Sequence, residues 1–201
     1  MKMNRKIVFL DTETGGLDST KDQIIQVACI ATDFDSLESI EEFEVKIQLI
    51  EGRYSQEALF VNSYNPEVWA KEAKTSAAAR QLFNSFLRKH ATLEMLSKRG
   101  SKYHVAEIAG QNVGFDVDFL RAWFKETDDF FPAAFGDGGR FDTMHLARAL
   151  NFARGYNFEN YKLETLARTL GVSTEAQTHD ALDDVRLTIA VAKKIREMFN
   201  D

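Results

Sequence analysis

The stretch that decides the fold is Ile7-Val-Phe-Leu10, followed directly by Asp11-Thr-Glu-Thr-Gly-Gly16. Four successive apolar residues are typical of a strand that is covered on both faces, and the polar, glycine-rich segment predicts a turn at its end. Asp11 and Glu13 therefore stand at the end of a buried strand. Because alternate residues of an extended chain point to the same side, the two carboxylates can share one hard cation.

An isolated Asp-x-Glu pair also has a second interpretation. Asp11, Thr12 and Thr14 can form a hydrogen-bonded turn that only ends the strand. Gly15 and Gly16 favour the functional interpretation, because glycines let backbone amides approach an anionic ligand without steric interference. These residues by themselves leave both interpretations open.

Two more strands are expected after the first. Residues 24–32 are mostly apolar and predict a second buried strand. Residues 42–49 alternate between polar and apolar side chains, and this period of two is typical of a half-exposed strand. Three strands in sequence predict an antiparallel meander.

A helical excursion is expected next, over about residues 55–100. Pro66 suits the first turn of a helix. Residues 77–96 carry apolar side chains at helical spacing and predict another helix. The side chains that carry this pattern are Leu82, Phe83, Phe86 and Leu87.

The rest of the chain alternates strands and helices. Residues 105–109 predict a strand, and the helix that follows Gly110-Gln-Asn-Val-Gly114 carries Asp116 in its first turn. A further helix at residues 163–170 is expected to close at Gly171, which suits a C-terminal cap. Strands followed by alternating strands and helices indicate an α/β domain with a mixed sheet.

Asp116 alone supports two interpretations about equally. An acid in the first turn of a helix is stabilised by the helix dipole, so it needs no further function. That explanation does not account for Asn112 and the glycines that precede the helix. A ligand role for Asp116 does account for a polar, glycine-rich turn beside a strand end.

The last helix is expected to begin near Asp180, a plausible N-cap. His179 and Asp184 would lie about 140° apart on one continuous helix, at roughly 100° per residue. If the helix begins at Asp180 instead, His179 lies on the preceding loop and can reach a site beside Asp184. An exposed loop histidine and a solvated helix acid are the alternatives. The apolar face of this helix comprises Val185, Ile189, Ala192 and Phe199.

Composition bounds the class of protein. Hydrophobic residues at 44% and charged residues at 28% exclude collagen-like, disordered and membrane proteins, and 201 residues predict a single domain, 1–201. The net charge of -6 does not indicate a polyanion partner, although bound divalent cations would reverse the local field. Cys29, the only cysteine, excludes a disulfide framework. Since no apolar run suits a signal peptide or a membrane span, we expect a cytoplasmic protein that does not bind membranes.

Taken together, three segments are recognisable as a set. Asp11-Thr-Glu-Thr-Gly-Gly16, Gly110-Gln-Asn-Val-Gly-Phe-Asp116 and His179-Asp-Ala-Leu-Asp-Asp184 resemble the three exonuclease motifs of the DnaQ-like superfamily. The histidine five residues before the last aspartate resembles its DEDDh branch. The segment 162–172 also resembles the approach to the third motif in that family. The resemblance spans most of the chain, with the motifs in the family's order.

The resemblance implies an RNase H-like fold, with a mixed, mostly five-stranded sheet flanked by helices. It further implies a 3′-to-5′ exonuclease that releases nucleoside 5′-monophosphates from single-stranded DNA or RNA 3′ ends, with DNA favoured. Two Mg²⁺ or Mn²⁺ ions would be held by four carboxylates, and His179 would act as the general base. The four carboxylates are Asp11, Glu13, Asp116 and Asp184. The terminal nucleotide would contact Thr14, Gly15, Gly16, Leu17, Asn112 and Phe115.

Two segments depart from the family pattern. Gln111 stands where many members carry histidine, and residues 60–69 lack the His-Gly segment that many members have after the third strand. Separately, Gln56-Glu-Ala-Leu-Phe60 resembles a sliding-clamp-binding peptide, which would make a clamp or its polymerase a partner. A chance match inside the domain is the alternative.

Three other functions are weighed against a DNA exonuclease. An oligoribonuclease or RNA-trimming enzyme would use the same residues on RNA. A haloacid-dehalogenase-like phosphatase would form an aspartyl-phosphate at Asp11, but Glu13 fits its motif poorly and His179 would have no role. A binding adaptor that had lost catalysis would be expected to lack one of the five motif residues, and none is missing.

Overall fold

The structure is a computed structural model that describes residues 5–128, 130–134, 141–173 and 180–200. Five main strands form one mixed sheet in the order β3-β2-β1-β5-β4, and two short strands, β6 and β7, pair with β5. The strands are β1 Lys6–Thr14, β2 Ile24–Asp33, β3 Ser39–Lys46, β4 Leu93–Leu96, β5 Lys102–Gly110, β6 Ala133–Ala134 and β7 Phe141–Asp142. The helices are α1 Gln56–Val61, α2 Pro66–Glu72, α3 Ser76–Lys89, α4 Gly114–Lys125, α5 Thr143–Arg154, α6 Leu163–Thr169 and α7 Ala181–Asn200.

The antiparallel meander of β1, β2 and β3 is confirmed, as is the mixed α/β sheet. β1 pairs antiparallel with β2, and β2 pairs antiparallel with β3. On its other side β1 pairs in parallel with β5. The C-terminal ends of β1 and β5 therefore meet at the same edge of the sheet, where the acidic residues of the first two motifs begin.

β1 is buried on both faces, and each face packs against different helices. Ile7 and Phe9 belong to a core cluster with Val185 and Ile189 of α7. Val8 and Leu10 belong to a second cluster that includes side chains of α3 and α4. Because side chains alternate along a strand, Asp11 and Glu13 continue the face toward α7, while Thr12 continues the face toward α4.

The prediction of one helix over residues 77–96 is wrong in its last third, residues 90–96. α3 ends at Lys89 with His90 as its C-cap, and Leu93–Leu96 is strand β4, paired with β5. Leu93 and Met95 are partly buried while Glu94 and Leu96 are exposed, which is the period of a strand. Leu82 is also 48% exposed and does not belong to the buried face of α3. Pairing with β5 decides the conformation of a four-residue segment that is too short to show its period clearly.

The ends of the other helices follow the sequence signals. Pro66 occupies the first turn of α2, and Gly171 follows the end of α6 with a φ of +69°. The carboxylate of Asp180 accepts hydrogen bonds from the amides of Leu182 (3.1 Å) and Asp183 (3.3 Å), so it caps α7 as predicted. Phe199 is 39% exposed, so the buried face of α7 ends before it.

Cys29 is buried in β2 as a free thiol, as expected. Within the described ranges, no helix has both the length and the apolar character that crossing a bilayer requires.

Candidate active site

Carboxylates from the last residues of β1 and from α7 meet at the C-terminal end of that strand, which continues through Asp11 and Glu13 to Thr14. Asp11, Glu13 and Asp184 each offer an oxygen, and these oxygens lie within 4.8 Å of one another. Asp116, in the first turn of α4, lines the same cavity of about 170 Å³. The structure therefore brings together all four acids that the three motifs predicted.

Thr12 fixes the position of Asp116. Its backbone amide and its hydroxyl both donate to Oδ1 of Asp116, at 2.9 and 2.7 Å. Thr12 points toward α4 because it alternates with Asp11 and Glu13 along β1. One strand end thus supplies two acids on one face and the positioning group for a third acid on the other.

Asp142 holds the turn that carries the second motif, and the sequence did not reveal this role. Its carboxylate accepts from the amides of Asn112 (3.0 Å) and Val113 (3.1 Å), and it also caps α5 by accepting from Met144 (2.9 Å). Asn112 has a φ of +53°, a conformation that costs energy for a residue with a side chain. Asp142 therefore stabilises a strained turn immediately before Asp116. An aspartate before a helix is a common N-cap signal, but such a signal would not have revealed the contact with the distant turn.

Burial and the proximity of the acids to one another raise the pKa values of three of them. Burial, followed by the charges of Asp184 and Asp116, raises the pKa of Glu13 from 4.5 to about 8. Burial raises the pKa of Asp116 from 3.8 to about 7, although the hydrogen bonds from Thr12 lower it. Burial and then the neighbouring charges of Asp116 and Glu13 raise the pKa of Asp11 well above 3.8. A compact, all-oxygen cluster that resists ionisation in the absence of cations fits hard divalent ions such as Mg²⁺ or Mn²⁺.

Gln26 ties the start of α7 to the sheet beside this cluster. It stands opposite Glu13 in the pairing of β1 with β2 and is 1% exposed. Its side-chain amide donates to Asp180 Oδ2 (3.2 Å) and to Glu44 Oε1 (3.0 Å). Since Asp180 caps α7, this contact helps to hold the helix that carries Asp184.

An apolar pocket of about 390 Å³ adjoins the acid cavity and shares Thr12, Glu13 and Phe115 with it. Of the residues predicted to contact a nucleotide, four line this pocket and Asn112 lines the acid cavity. The four are Thr14, Gly16, Leu17 and Phe115. The sequence analysis did not predict the wall of this pocket that α1 forms, because α1 is too short to show a helical pattern in the sequence. That wall consists of Ser55, Glu57, Ala58, Val61 and Asn62, and Asn62 Nδ2 donates to the carbonyl of Thr14 at 2.8 Å.

Gly15 lines neither cavity. Its amide donates to the carbonyl of Gln23 (2.7 Å), and its carbonyl accepts from the amide of Ser55 (2.8 Å), so its backbone is already engaged within the fold. A Cβ atom at this position would lie 2.5 Å from the carbonyl oxygen of Arg53. Gly15 therefore permits two backbone segments to approach closely behind the pocket.

We expect Gly15→Ala to lower the free energy of unfolding by about 3 kcal/mol, because the clash is with backbone that cannot rotate away. Chemical denaturation measures this change. Gly52→Ala is the matched control: its Cβ would meet nothing within 4 Å, and its φ of +80° gives an expected cost of about 1 kcal/mol. Equal costs at the two positions would contradict the packing role of Gly15.

Three other predictions concern Gln111, His179 and the clamp-like peptide. His179 lies outside the described residues. Gln111 lines the acid cavity, donates to the carbonyl of Tyr161 (2.7 Å) and hydrogen bonds to the hydroxyl of Thr143. Leu59 of the clamp-like peptide is 6% exposed. Phe60 of the same peptide is 88% exposed, so clamp binding stays a prediction.

Known proteins resemble the chain over nearly its whole length. The exonuclease family model named for RNase T matches residues 8–192. An oligoribonuclease of Yersinia pseudotuberculosis is 27% identical over 193 residues, which cover 96% of this chain and 94% of that protein. A PolC-type DNA polymerase III of Thermotoga petrophila is 26% identical over 197 residues, 97% of this chain but only 12% of the polymerase.

The fold itself is shared with solved nuclease structures. E. coli exonuclease I in complex with an oligonucleotide superposes with a TM-score of 0.74 at 22% sequence identity, covering 98% of this chain and 42% of that one. This similarity confirms the RNase H-like fold. The family match and the fold lead to one conclusion: the chain belongs to the DnaQ-like exonuclease family.

Proposed function

We propose that the protein hydrolyses the last phosphodiester bond at the 3′ end of single-stranded nucleic acid and releases nucleoside 5′-monophosphates. The observation that carries this proposal is the acid cavity that opens directly beside an apolar pocket. The pocket has space for a nucleobase and its sugar, and the acids lie where the adjoining phosphate would be. Glu13 and Phe115 border both spaces.

The four carboxylates would hold two divalent cations. When bound, Mg²⁺ or Mn²⁺ would supply positive charge beside the scissile phosphate and lower the pKa of the attacking water. Thr12 keeps Asp116 facing the cavity, and the start of α7 keeps Asp184 there. Leu17, which is 87% exposed at the pocket, would contact the terminal bases.

His179 is proposed as the general base that takes the proton of the attacking water. We expect His179→Ala to lower the rate constant of hydrolysis roughly 10²-fold, within the usual range for loss of a general base. Mn²⁺ affinity should change little, because an imidazole base is not one of the ligands. Single-turnover kinetics and a Mn²⁺ titration of the same variant measure both quantities. A variant that loses Mn²⁺ binding along with activity would show His179 to be a ligand.

DNA is our first proposal for the substrate, since a PolC-type DNA polymerase aligns with nearly the whole chain. A second candidate is short RNA, because the oligoribonucleases match over almost the full length of both proteins. Glu57 and Ser55 line the pocket, so their side-chain oxygens would lie near the sugar if the terminal nucleotide binds there. A ribose 2′-hydroxyl could donate to such oxygens, and a deoxyribose could not.

End-labelled strands test the proposal. Single-stranded DNA and RNA of matched sequence, labelled at either end, would be incubated with Mg²⁺, Mn²⁺ or EDTA. We expect metal-dependent release of mononucleotides from the 3′ end, with the DNA strand degraded faster. A higher rate on RNA would select the oligoribonuclease function. Release from the 5′ end, or no release with either strand, would contradict the exonuclease proposal.

A further inference from the structure

A stripe of exposed side chains on α5 leads away from the acid cavity. Thr143, the first residue of α5, hydrogen bonds to Gln111, and the cap residue Asp142 holds Asn112. Gln111 and Asn112 both line the acid cavity. The N-terminus of α5 is thereby anchored at the cavity, and the helix extends outward from it.

One face of α5 is buried and the opposite face carries a charge and an aromatic ring. Ala147 and Leu150 are fully buried against α6 and α7. His145, Arg148 and Phe152 are exposed and lie within about 60° of one another, at roughly 100° per residue. From the start of the helix to Phe152 the stripe spans about 13 Å, at 1.5 Å per residue.

The ring of Phe152 is almost fully exposed to solvent, as are the side chains of Phe60 (88%) and Leu17 (87%) near the apolar pocket. At 95% it is the most exposed large apolar side chain in the described part of the chain. Tyr156, just beyond α5, is 37% exposed and stacks on Phe158, with ring centroids 6.0 Å apart. Solvent-exposed aromatic rings are the platforms on which unpaired bases stack.

Arg148 adds positive charge at the middle of the stripe. Its guanidinium lies 5.1 Å from the centre of the Tyr161 ring, and the carbonyl of Tyr161 accepts from Gln111. The sequence of α5 contains two arginines and a histidine and no acidic residue, in a chain whose net charge is -6. This charge suits phosphates, which guanidinium groups bind in bidentate fashion.

We propose that the exposed stripe of α5, formed by His145, Arg148 and Phe152, binds the single strand that extends from the acid cavity. The inference rests on the proposed function, because its ligand is the same strand whose 3′ end is proposed to bind in the acid cavity. Arg148 would contact a backbone phosphate, and Phe152 would stack on a base. The stripe thus contributes affinity only for longer strands. A dinucleotide would be held within the acid cavity and the apolar pocket and would not reach the stripe.

The hairpin of β4 and β5 provides a matched control surface. It also exposes a basic and an aromatic side chain, Arg99 and Tyr103, the latter 37% exposed. The hairpin lies at the beginning of β5, whereas the acid cavity lies at its end. Eight residues at 3.3 Å each separate Lys102 from Gly110, a distance of about 26 Å.

The test compares two double variants, Arg148→Ala with Phe152→Ala and Arg99→Ala with Tyr103→Ala. Each is made in the Asp11→Asn background, and binding of a fluorescent single strand about 12 nucleotides long is followed by anisotropy at several salt concentrations. We expect the α5 pair to weaken binding about tenfold or more and to reduce the salt slope by about 0.7, the share of one phosphate on a single strand. The hairpin pair should change affinity by less than about twofold.

Kinetics in the otherwise wild-type protein separate the stripe from the catalytic site. The α5 pair should raise KM for the long strand about tenfold, with kcat and the hydrolysis of a dinucleotide nearly unchanged. Unchanged strand binding, an equal loss in the hairpin pair, an equal loss on the dinucleotide, or a changed oligomeric state would each overturn the proposal. If the wild-type protein hydrolyses no strand, the proposed function fails, and the anisotropy measurement still decides whether α5 binds the strand.

Discussion

Replacing Glu13 with glutamine should lower hydrolysis by about 10³-fold, the equivalent of about 4 kcal/mol in the activation barrier. The substitution keeps the size of the side chain and removes one charged oxygen from the cluster that faces the scissile phosphate. The metal-free variant should nevertheless be more stable than the wild type at pH 8. Burial and the charges of Asp184 and Asp116 disfavour the ionised form of Glu13, so this charge destabilises the folded protein. The amide of glutamine is neutral and does not have this destabilising effect.

We expect the melting temperature of metal-free Glu13→Gln to rise by roughly 2 to 4 °C, which corresponds to about 1 kcal/mol for a chain of this length. Calorimetry in EDTA and a single-turnover assay in Mg²⁺ measure the two effects. Glu41→Gln is the matched control, because hydrogen bonds from Lys89 and His90 lower the pKa of Glu41. That variant should lose stability and keep its activity. A Glu13→Gln protein that is both less stable and fully active would contradict the assignment.

The affinity for Mn²⁺ should rise on the order of 10³-fold between pH 6 and pH 8, because each proton displaced by the cation contributes up to tenfold per pH unit. The displaced protons come from Asp116, with a pKa of about 7, and Glu13, with a pKa of about 8. Titration calorimetry in two buffers with different ionisation enthalpies gives the number of protons released. At pH 6, where Asp116 is mostly protonated, Asp116→Asn should reduce that number by about one.

The raised pKa values of Asp116 and Glu13 also determine how the stability of the metal-free protein changes with pH. The folded protein binds protons on Asp116 and Glu13 at pH values where the unfolded chain, with ordinary pKa values of 3.8 and 4.5, has released them. This stabilisation is fully present below the ordinary pKa values and is lost as the pH rises through about 7 and about 8. Metal-free protein should therefore become less stable from pH 5 to pH 9, and Mn²⁺ should reverse the loss. A Mn²⁺ affinity that does not depend on pH would contradict this coupling.

Much of the fold followed from local patterns. The apolar run before Asp11 predicted β1. The alternation at residues 42–49 predicted β3, although the strand begins and ends three residues earlier, at Ser39–Lys46. Asp180 was recognised as the cap of α7 because capping depends on neighbours in the chain. Leu93–Leu96 was misassigned, since a four-residue strand obtains its conformation from its partner strand and not from its own period.

The sequence predicted which four acids come together, but not the contacts that hold them in place. Three motifs in order identified Asp11, Glu13, Asp116 and Asp184 because the chemistry requires carboxylates at strand and helix ends. Asp142 was missed, since its contacts with Asn112 and Val113 span about 30 residues of sequence. Such contacts follow from the tertiary fold, as does the wall that α1 adds to the pocket.

Family membership also bears on the alternatives. A dehalogenase-like phosphatase would use Asp11 as a nucleophile, whereas here Asp11 shares a small space with Glu13 and Asp184. Three carboxylates whose oxygens lie within 4.8 Å suit cation binding better than formation of a phosphorylated aspartate. The match to the exonuclease family supports the same conclusion.

The most direct test of the central claim is a Mn²⁺ titration of the wild type and of Asp11→Asn in which bound metal and hydrolysis of a 3′-labelled strand are measured on the same samples. We expect two Mn²⁺ per wild-type chain, a hydrolysis rate that rises as the sites fill, and loss of both in Asp11→Asn. Hydrolysis that continues in EDTA, or full activity in Asp11→Asn, would contradict the claim that these carboxylates form a metal-dependent nuclease site.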